Sequence, residues 1–143
     1  MNKLLILLCF SFFSLARVHA QTSAPKFALL DAKDPIVGTW KFVANDTAAP
    51  VSPFGTSGWY FIRFAAGTEQ SVASESAGDV MDCPFYFLCF SNGTTVSTTL
   101  SDNCDKSLKG KKFKFSYSYD AASDQLTITG TNGAKAVYSR VQQ

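Results

Sequence analysis

From Lys112 to Tyr119 the chain alternates without a fault, with Phe113, Phe115, Tyr117 and Tyr119 on one parity and Lys112, Lys114, Ser116 and Ser118 on the other. Side chains on a strand point to opposite faces with period two, so the pattern predicts a strand with one aromatic and one wet face. Burying four such rings is worth on the order of 15–25 kcal/mol gross, as an upper bound. The rest of the chain must cover that row or leave a cavity that the row lines.

The same alternation predicts strands elsewhere. Ile36 to Asn45 sets Trp40, Phe42 and Ala44 on one parity, and Trp59 to Ala66 is apolar on both faces except for Arg63. Gly67-Thr68 turns that strand into a polar, weaker one over Glu69 to Ser76. Pro84 to Phe90 is aromatic, and Asn92-Gly93 is a strong hairpin signal leading into Thr94 to Leu100. Asn132-Gly133 joins Gln125–Thr129 to Ala134–Val141 in the same way. Between the first two strands, residues 45–58 hold Pro50, Pro53, Gly55 and Gly58, which predicts a long loop acting as a lid or rim. The expected fold class is all-β: an antiparallel up-and-down meander closed into a barrel of about eight strands. Closure removes the edges that an open meander would expose. At this size the interior is either filled by side chains or holds one small ligand.

The ends bound the domain. Lys3, the apolar run Leu4 to Leu15 and Val18-His19-Ala20 read as a secretory signal peptide over residues 1–20, cut after Ala20. The apolar run is short for a membrane span. Residues 21–34 are expected to form a flexible N-terminal segment, with one helical turn before Pro35, and residues 35–143 the barrel. Loss of Lys3 and Arg17 leaves 11 of 13 basic side chains against 11 acidic ones, so the mature chain is neutral and offers no general argument for nucleic-acid binding. Lys106, Lys109, Lys111, Lys112 and Lys114 read as a solvated basic face.

The single histidine, His19, leaves with the signal peptide. That removes Ser-His and Cys-His nucleophile pairs, the commonest general base and the commonest metal ligand. No CxxC spacing exists for zinc. Asp79 and Asp82 lie close in sequence but in a loop, so no catalytic residue, metal or cofactor is expected and the chain is not read as an enzyme. Asn45-Asp46-Thr47 and Asn92-Gly93-Thr94 match glycosylation sequons.

Cys83, Cys89 and Cys104 remain after cleavage. With Asn92-Gly93 as the turn, Phe85 faces Leu100 and Cys83 faces Asp102, two residues from Cys104 on the same face. The expected bridge is Cys83–Cys104, worth about 3 kcal/mol in the loop-entropy model. Cys89 is left as a free, buried thiol.

Gly38-Thr39-Trp40, at the start of the first strand, resembles the Gly-x-Trp signature of lipocalins and the wider calycin group. Tyr138-Ser139-Arg140-Val141 resembles the closing strand of small lipocalin-like domains. The resemblance spans Pro35 to Val141 and implies that Arg140 packs across Trp40 and shuts one end of the barrel. Fatty-acid-binding proteins also open with Gly-Thr-Trp-Lys, as Gly38 to Lys41 does. They carry an Arg-x-Tyr pair on the last strand, where this chain has Ala136 before Tyr138, and a helix pair that has no counterpart here. One conflict stays open. A two-residue Asn132-Gly133 turn pairs Ile128 with Val137 and puts Arg140 on the face away from Leu126, whereas a bulge would reverse the parity.

The expected function is the binding of a small, mostly apolar or amphiphilic ligand by a secreted barrel without a membrane span. Trp59, Phe61, Phe85, Phe87, Phe113, Phe115, Tyr117 and Tyr119 are the pool for a lining, with Phe87 and the row Phe113, Phe115, Tyr117 and Tyr119 as the ligand-binding set. The hydroxyls of Tyr117 and Tyr119 would form the polar end. Arg63 reads as a solvent-facing residue. The alternative is a protein-binding module, such as a barrel-type protease inhibitor acting through residues 21–26 or its outer surface.

Overall fold

The computed structural model describes residues 26–43, 58–76 and 82–142. The expected signal peptide, residues 21–25, nearly all of the loop 45–58 with the Asn45 sequon, and Asp79 lie outside the described residues. Nine strands run in order: β1 (Ala28–Leu29), β2 (Gly38–Phe42), β3 (Phe61–Phe64), β4 (Ser71–Ser74), β5 (Phe85–Ser91), β6 (Thr95–Asp102), β7 (Lys112–Asp120), β8 (Gln125–Gly130) and β9 (Lys135–Arg140). A 3₁₀ turn at Lys106–Leu108 follows β6. Strands β2 to β9 pair antiparallel in chain order, and β9 returns to β2, so eight strands close an up-and-down barrel. The two-residue β1 pairs with the C-terminal part of β5, Ala28 with Ser91 and Leu29 with Phe90.

That pairing seats part of the segment 21–34 on the barrel. Leu30 and Ile36 are buried in the core, and the Leu30 carbonyl accepts from the Gly67 N–H. Two apolar side chains drive the segment onto the barrel end, and hydrogen-bonded turns carry it there. The Asp34 N–H donates to the Asp31 carbonyl and the Val37 N–H to the Asp34 carbonyl, in place of the single helical turn.

Both hairpins shift from their expected registers. In the first, the Asn92 N–H donates to the Thr95 carbonyl, and the central pair is Gly93-Thr94, with Gly93 at φ +96°. Glycine in the first central position is the requirement of a type II′ turn. The Asn92 side chain accepts from the Thr95 N–H and stabilises this frame. Phe87 therefore faces Leu100, two residues along from the expected Phe85. A shift of two keeps every side chain on its face, and a bulge at Tyr86/Phe87 adjusts the strand start. The Cys83–Cys104 bridge forms, as the hairpin argument requires.

The second hairpin slips by one residue, which matters more. Its loop has three residues, Thr131 to Gly133, with the Gly133 N–H donating to the Gly130 carbonyl and Gly133 at φ +81°. This is a type I turn closed by a left-handed glycine. Ile128 now pairs with Ala136 and Leu126 with Tyr138, so the parity conflict resolves toward the bulge. Leu126, Ile128, Ala136 and Tyr138 are all buried.

Two further expectations change. The segment expected as a weak polar strand, β4, is buried at every residue. Ser71 lies opposite Phe87 and Ala73 opposite Phe85, so small side chains make room for large rings across the ladder. The Ser71 hydroxyl accepts from the Ala65 N–H, which removes the cost of burying it. Trp59 and Phe61, two residues apart and so of one parity in a continuous strand, differ in burial. The chain bends at Tyr60 before β3 begins, so Trp59 is buried while Phe61 stays half-exposed.

Candidate functional site

The two ends of the barrel differ in chemistry. At one end, where β2 starts and β9 finishes, Trp40 pairs across the ladder with Arg140. The guanidinium carbon of Arg140 stands 4.2 Å from the Trp40 ring centroid and 5.6 Å from that of Tyr119. Each nitrogen of its planar fork makes a hydrogen bond: Nε donates to Asp124 Oδ1 at 2.9 Å, Nη1 to the Val37 carbonyl at 3.0 Å and Nη2 to the Pro35 carbonyl at 2.9 Å. The Trp40 indole donates to the Ile36 carbonyl at 2.7 Å. Gly38, at φ +142°, is required here, because a Cβ on it would overlap Arg140 Nη1. Arg140 holds the Asp124 carboxyl below the usual carboxylate range by hydrogen bonding. Beside this cluster an open depression of about 470 Å³ is lined by Gly38, Thr39, Arg140, Val141 and Gln142. The Arg140 guanidinium on its wall is tied to Asp124 and to the Val37 and Pro35 carbonyls.

The tyrosines of the β7 row belong to this same end. Tyr117 Oη donates to Asp34 Oδ1 at 2.9 Å and lies 3.5 Å from Ser91 Oγ. Tyr119 meets Trp40 edge-on at 6.1 Å and donates to Asp124 Oδ1 at 2.9 Å. The two hydroxyls expected to greet a ligand are thus partnered within the protein and help to plug the barrel. Asp34 and Asp124 escaped the sequence reading because each is an ordinary loop carboxylate. The Asx turn from Asp34 to the Ile36 N–H, just before the first strand, is the only local signal for the former.

Rings crowd the middle of the barrel and extend toward its other end. Phe87 stacks on Trp59 at 5.3 Å with an interplanar angle of 8°, and Phe113 meets both edge-on, at 5.4 Å from Trp59 and 5.7 Å from Phe87. Phe64 reaches Phe87 at 6.4 Å and Phe115 at 5.9 Å, and Phe115 stacks on Phe113. Phe85 completes the group against Trp59 at 6.4 Å. The structure therefore brings Phe87, Phe113 and Phe115 together, commits the Tyr117 and Tyr119 hydroxyls to Asp34 and Asp124, and adds Trp59 and Phe64. Trp59 is held from behind as well: its carbonyl accepts from Tyr138 Oη at 2.8 Å.

The remaining chemistry is sparse. Arg63 and Asp82 are exposed. Lys106 pairs with Asp102, Lys114 stands over the Phe27 ring, and Lys109, Lys111 and Lys112 are exposed. Among the described residues no group of His, Cys, Asp or Glu could hold a metal ion, and no helix is long and apolar enough to cross a membrane. Cys89 is buried beside Ser71, 3.5 Å from its hydroxyl, and burial pushes its thiol up to about 12. Two outcomes are expected. A thiol reagent at pH 8 leaves Cys89 untouched in the native protein and labels it once the protein is unfolded. Stability is level below the ordinary thiol range near pH 8.5–9 and falls as pH rises toward 12, since the unfolded chain loses that proton first. Labelling of the native protein at the unfolded rate would contradict the burial.

Comparison with family models, curated proteins and solved structures finds no match for this chain.

Proposed function

We propose that this protein is a secreted, lipocalin-like, non-enzymatic barrel that binds a small, mostly apolar or amphiphilic molecule. The observation that carries the reading is the contrast between the ends. The Trp40–Arg140–Asp124–Tyr119 plug stops one end with each guanidinium nitrogen hydrogen-bonded, while the aromatic group of Trp59, Phe85, Phe87 and Phe113 extends toward the other. The Arg140 stack on Trp40 also supports the resemblance to lipocalins. The Cys83–Cys104 bridge suits an oxidising compartment and supports secretion. Because rings occupy the middle of the barrel, the ligand is assigned to the end that bears Phe85 and Phe113. The test is native mass spectrometry of protein purified from its source, together with titration of an environment-sensitive apolar dye. A bound mass that organic solvent strips, and saturable dye binding, are expected. A bare protein mass with no dye binding sinks the proposal.

A second reading rests on the outer face of β5. Leu29 is 38% exposed and Tyr86 37%, and Leu88 and Phe90 on the same face are half-buried. This apolar stripe suits contact with another protein. Tyr86→Lys would abolish such contact and leave dye binding intact.

A further inference from the structure

The ligand's polar group can be read from a hydrogen bond that the protein does not make. Trp59 is only 1% exposed, yet its indole N–H has no partner. It is the only such buried side-chain donor or acceptor among the described residues. Leaving a buried donor unpaired is costly, and native structures seldom tolerate it without a functional reason or an unseen partner. The contrast with Trp40 is direct, since that indole donates to the Ile36 carbonyl. Nor is the Trp59 side chain loosely placed. Phe87 stacks on its face, Phe113 and Phe85 flank it, and Tyr138 Oη holds its backbone carbonyl. Phe85 and Phe113 are 7% and 8% exposed and Phe87 is fully buried. This is an ordered aromatic group carrying one unspent donor.

The charge of the surroundings narrows the chemistry further. The buried polar residues among those described are Ser71, Ser74, Ser91, Thr98 and Asn103, all neutral. Burying an unpaired carboxylate or ammonium among aromatic rings would cost far more than the ring contacts return. Tyr117, Tyr119 and Arg140, the other candidates to receive a polar head, are committed to Asp34, Asp124 and backbone carbonyls at the plugged end.

Resting on the small-ligand function proposed above, we infer that the Trp59 indole N–H is the ligand's polar anchor, and that the ligand class is an uncharged, flat molecule bearing a carbonyl or ether oxygen. The ring system lies against the Phe85, Phe87 and Phe113 group, and its oxygen accepts from Trp59 Nε1–H. Fatty acids and other carboxylates are disfavoured.

The test compares three probes of one shape: 2-acetylnaphthalene, its hydrocarbon isostere 2-isopropenylnaphthalene, and the anion 2-naphthoate. Wild type is expected to bind the ketone about 5–30-fold more tightly than the hydrocarbon, and the anion most weakly. The two tryptophans give two indole signals in a ¹H–¹⁵N spectrum. The ketone should move the Trp59 signal downfield and leave the Trp40 signal in place, while the hydrocarbon should produce no downfield shift. Trp59→Phe keeps a stacking ring without the N–H, and should erase the preference for the ketone while hydrocarbon binding persists. Equal binding of ketone and hydrocarbon by wild type, or an unmoved Trp59 signal on saturation with ketone, overturns the anchor and leaves the small-ligand function standing. Tightest binding of naphthoate overturns the assignment of an uncharged class. If wild type binds none of the three, the small-ligand function falls and the anchor with it. The wild-type spectrum decides the question even where the variant does not fold.

Discussion

Trp40→Ala is expected to cost about 3–5 kcal/mol, the range for truncating a fully buried large aromatic. Arg140→Ala is expected to cost about 2–4 kcal/mol, because it strips one stacked cation and several charge-assisted hydrogen bonds at once. Domains of this size lose about 2–8 °C of melting temperature per kcal/mol, so either change is visible in a thermal scan. The double variant should lose less than the sum, since the two side chains share one contact. Arg140→Lys should not rescue: an ammonium cannot reach Asp124, Val37 and Pro35 together or lie flat on the indole. Gly38→Ala attacks the plug from the other side. It leaves Arg140 in the sequence but pushes a methyl group into its guanidinium, from a backbone that L residues rarely adopt. Acid should loosen the plug. Arg140 lowers the folded-state pKa of Asp124, so this stabilisation is complete above the ordinary carboxylate range near pH 4 and fades as pH falls through the lowered value. Wild-type melting in Arg140→Ala would show that the stack carries no energy.

The barrel and its strand count were legible because alternation is a local property: a row such as Phe113 to Tyr119 declares its inner face without reference to any partner. The bridge was legible for a related reason. An error of two residues in hairpin register leaves every side chain on the correct face, so Cys83 and Cys104 still meet. An error of one does not, and the Asn132-Gly133 turn shows why such an error is easy. Two-residue and three-residue loops both place glycine at a left-handed position, and nothing in Gly-Thr-Asn-Gly-Ala says which glycine geometry wins. Tertiary packing decides, by burying Leu126, Ile128 and Tyr138 and setting Arg140 against Trp40. The site was harder still. Which rings meet depends on where the chain bends, and the bend at Tyr60 that turns Trp59 inward leaves no composition signal. The β4 strand looked weak for want of large side chains, yet Ser71 and Ala73 are small because Phe87 and Phe85 face them.

Phe87→Ala tests how the middle of the barrel is filled. Phe87 is fully buried, faces Leu100 on β6 and Ser71 on β4, and touches the rings of Trp59, Phe64 and Phe113. Removing it takes away the partner stacked on Trp59 and opens a hole within a closed ring of hydrogen-bonded strands. Such a cylinder cannot collapse toward the hole without breaking ladder pairs, so the cavity should persist and the cost should be about 3–5 kcal/mol. Phe115→Trp makes the opposite change and should cost about 1–3 kcal/mol by overpacking against Phe64 and Phe113. A persistent apolar hole also makes a positive prediction. Benzene should bind the Phe87→Ala variant and raise its melting temperature in proportion to the logarithm of concentration, by clearly more than it raises that of wild type. Urea unfolding of the two variants, with and without benzene, measures all of these effects. A Phe87→Ala loss below about 1 kcal/mol would mean that the ring is not packed on both sides. A wild-type barrel that responds to benzene as strongly as the variant would mean that room already exists beside Phe87, and would move the ligand from the end of the barrel into its middle.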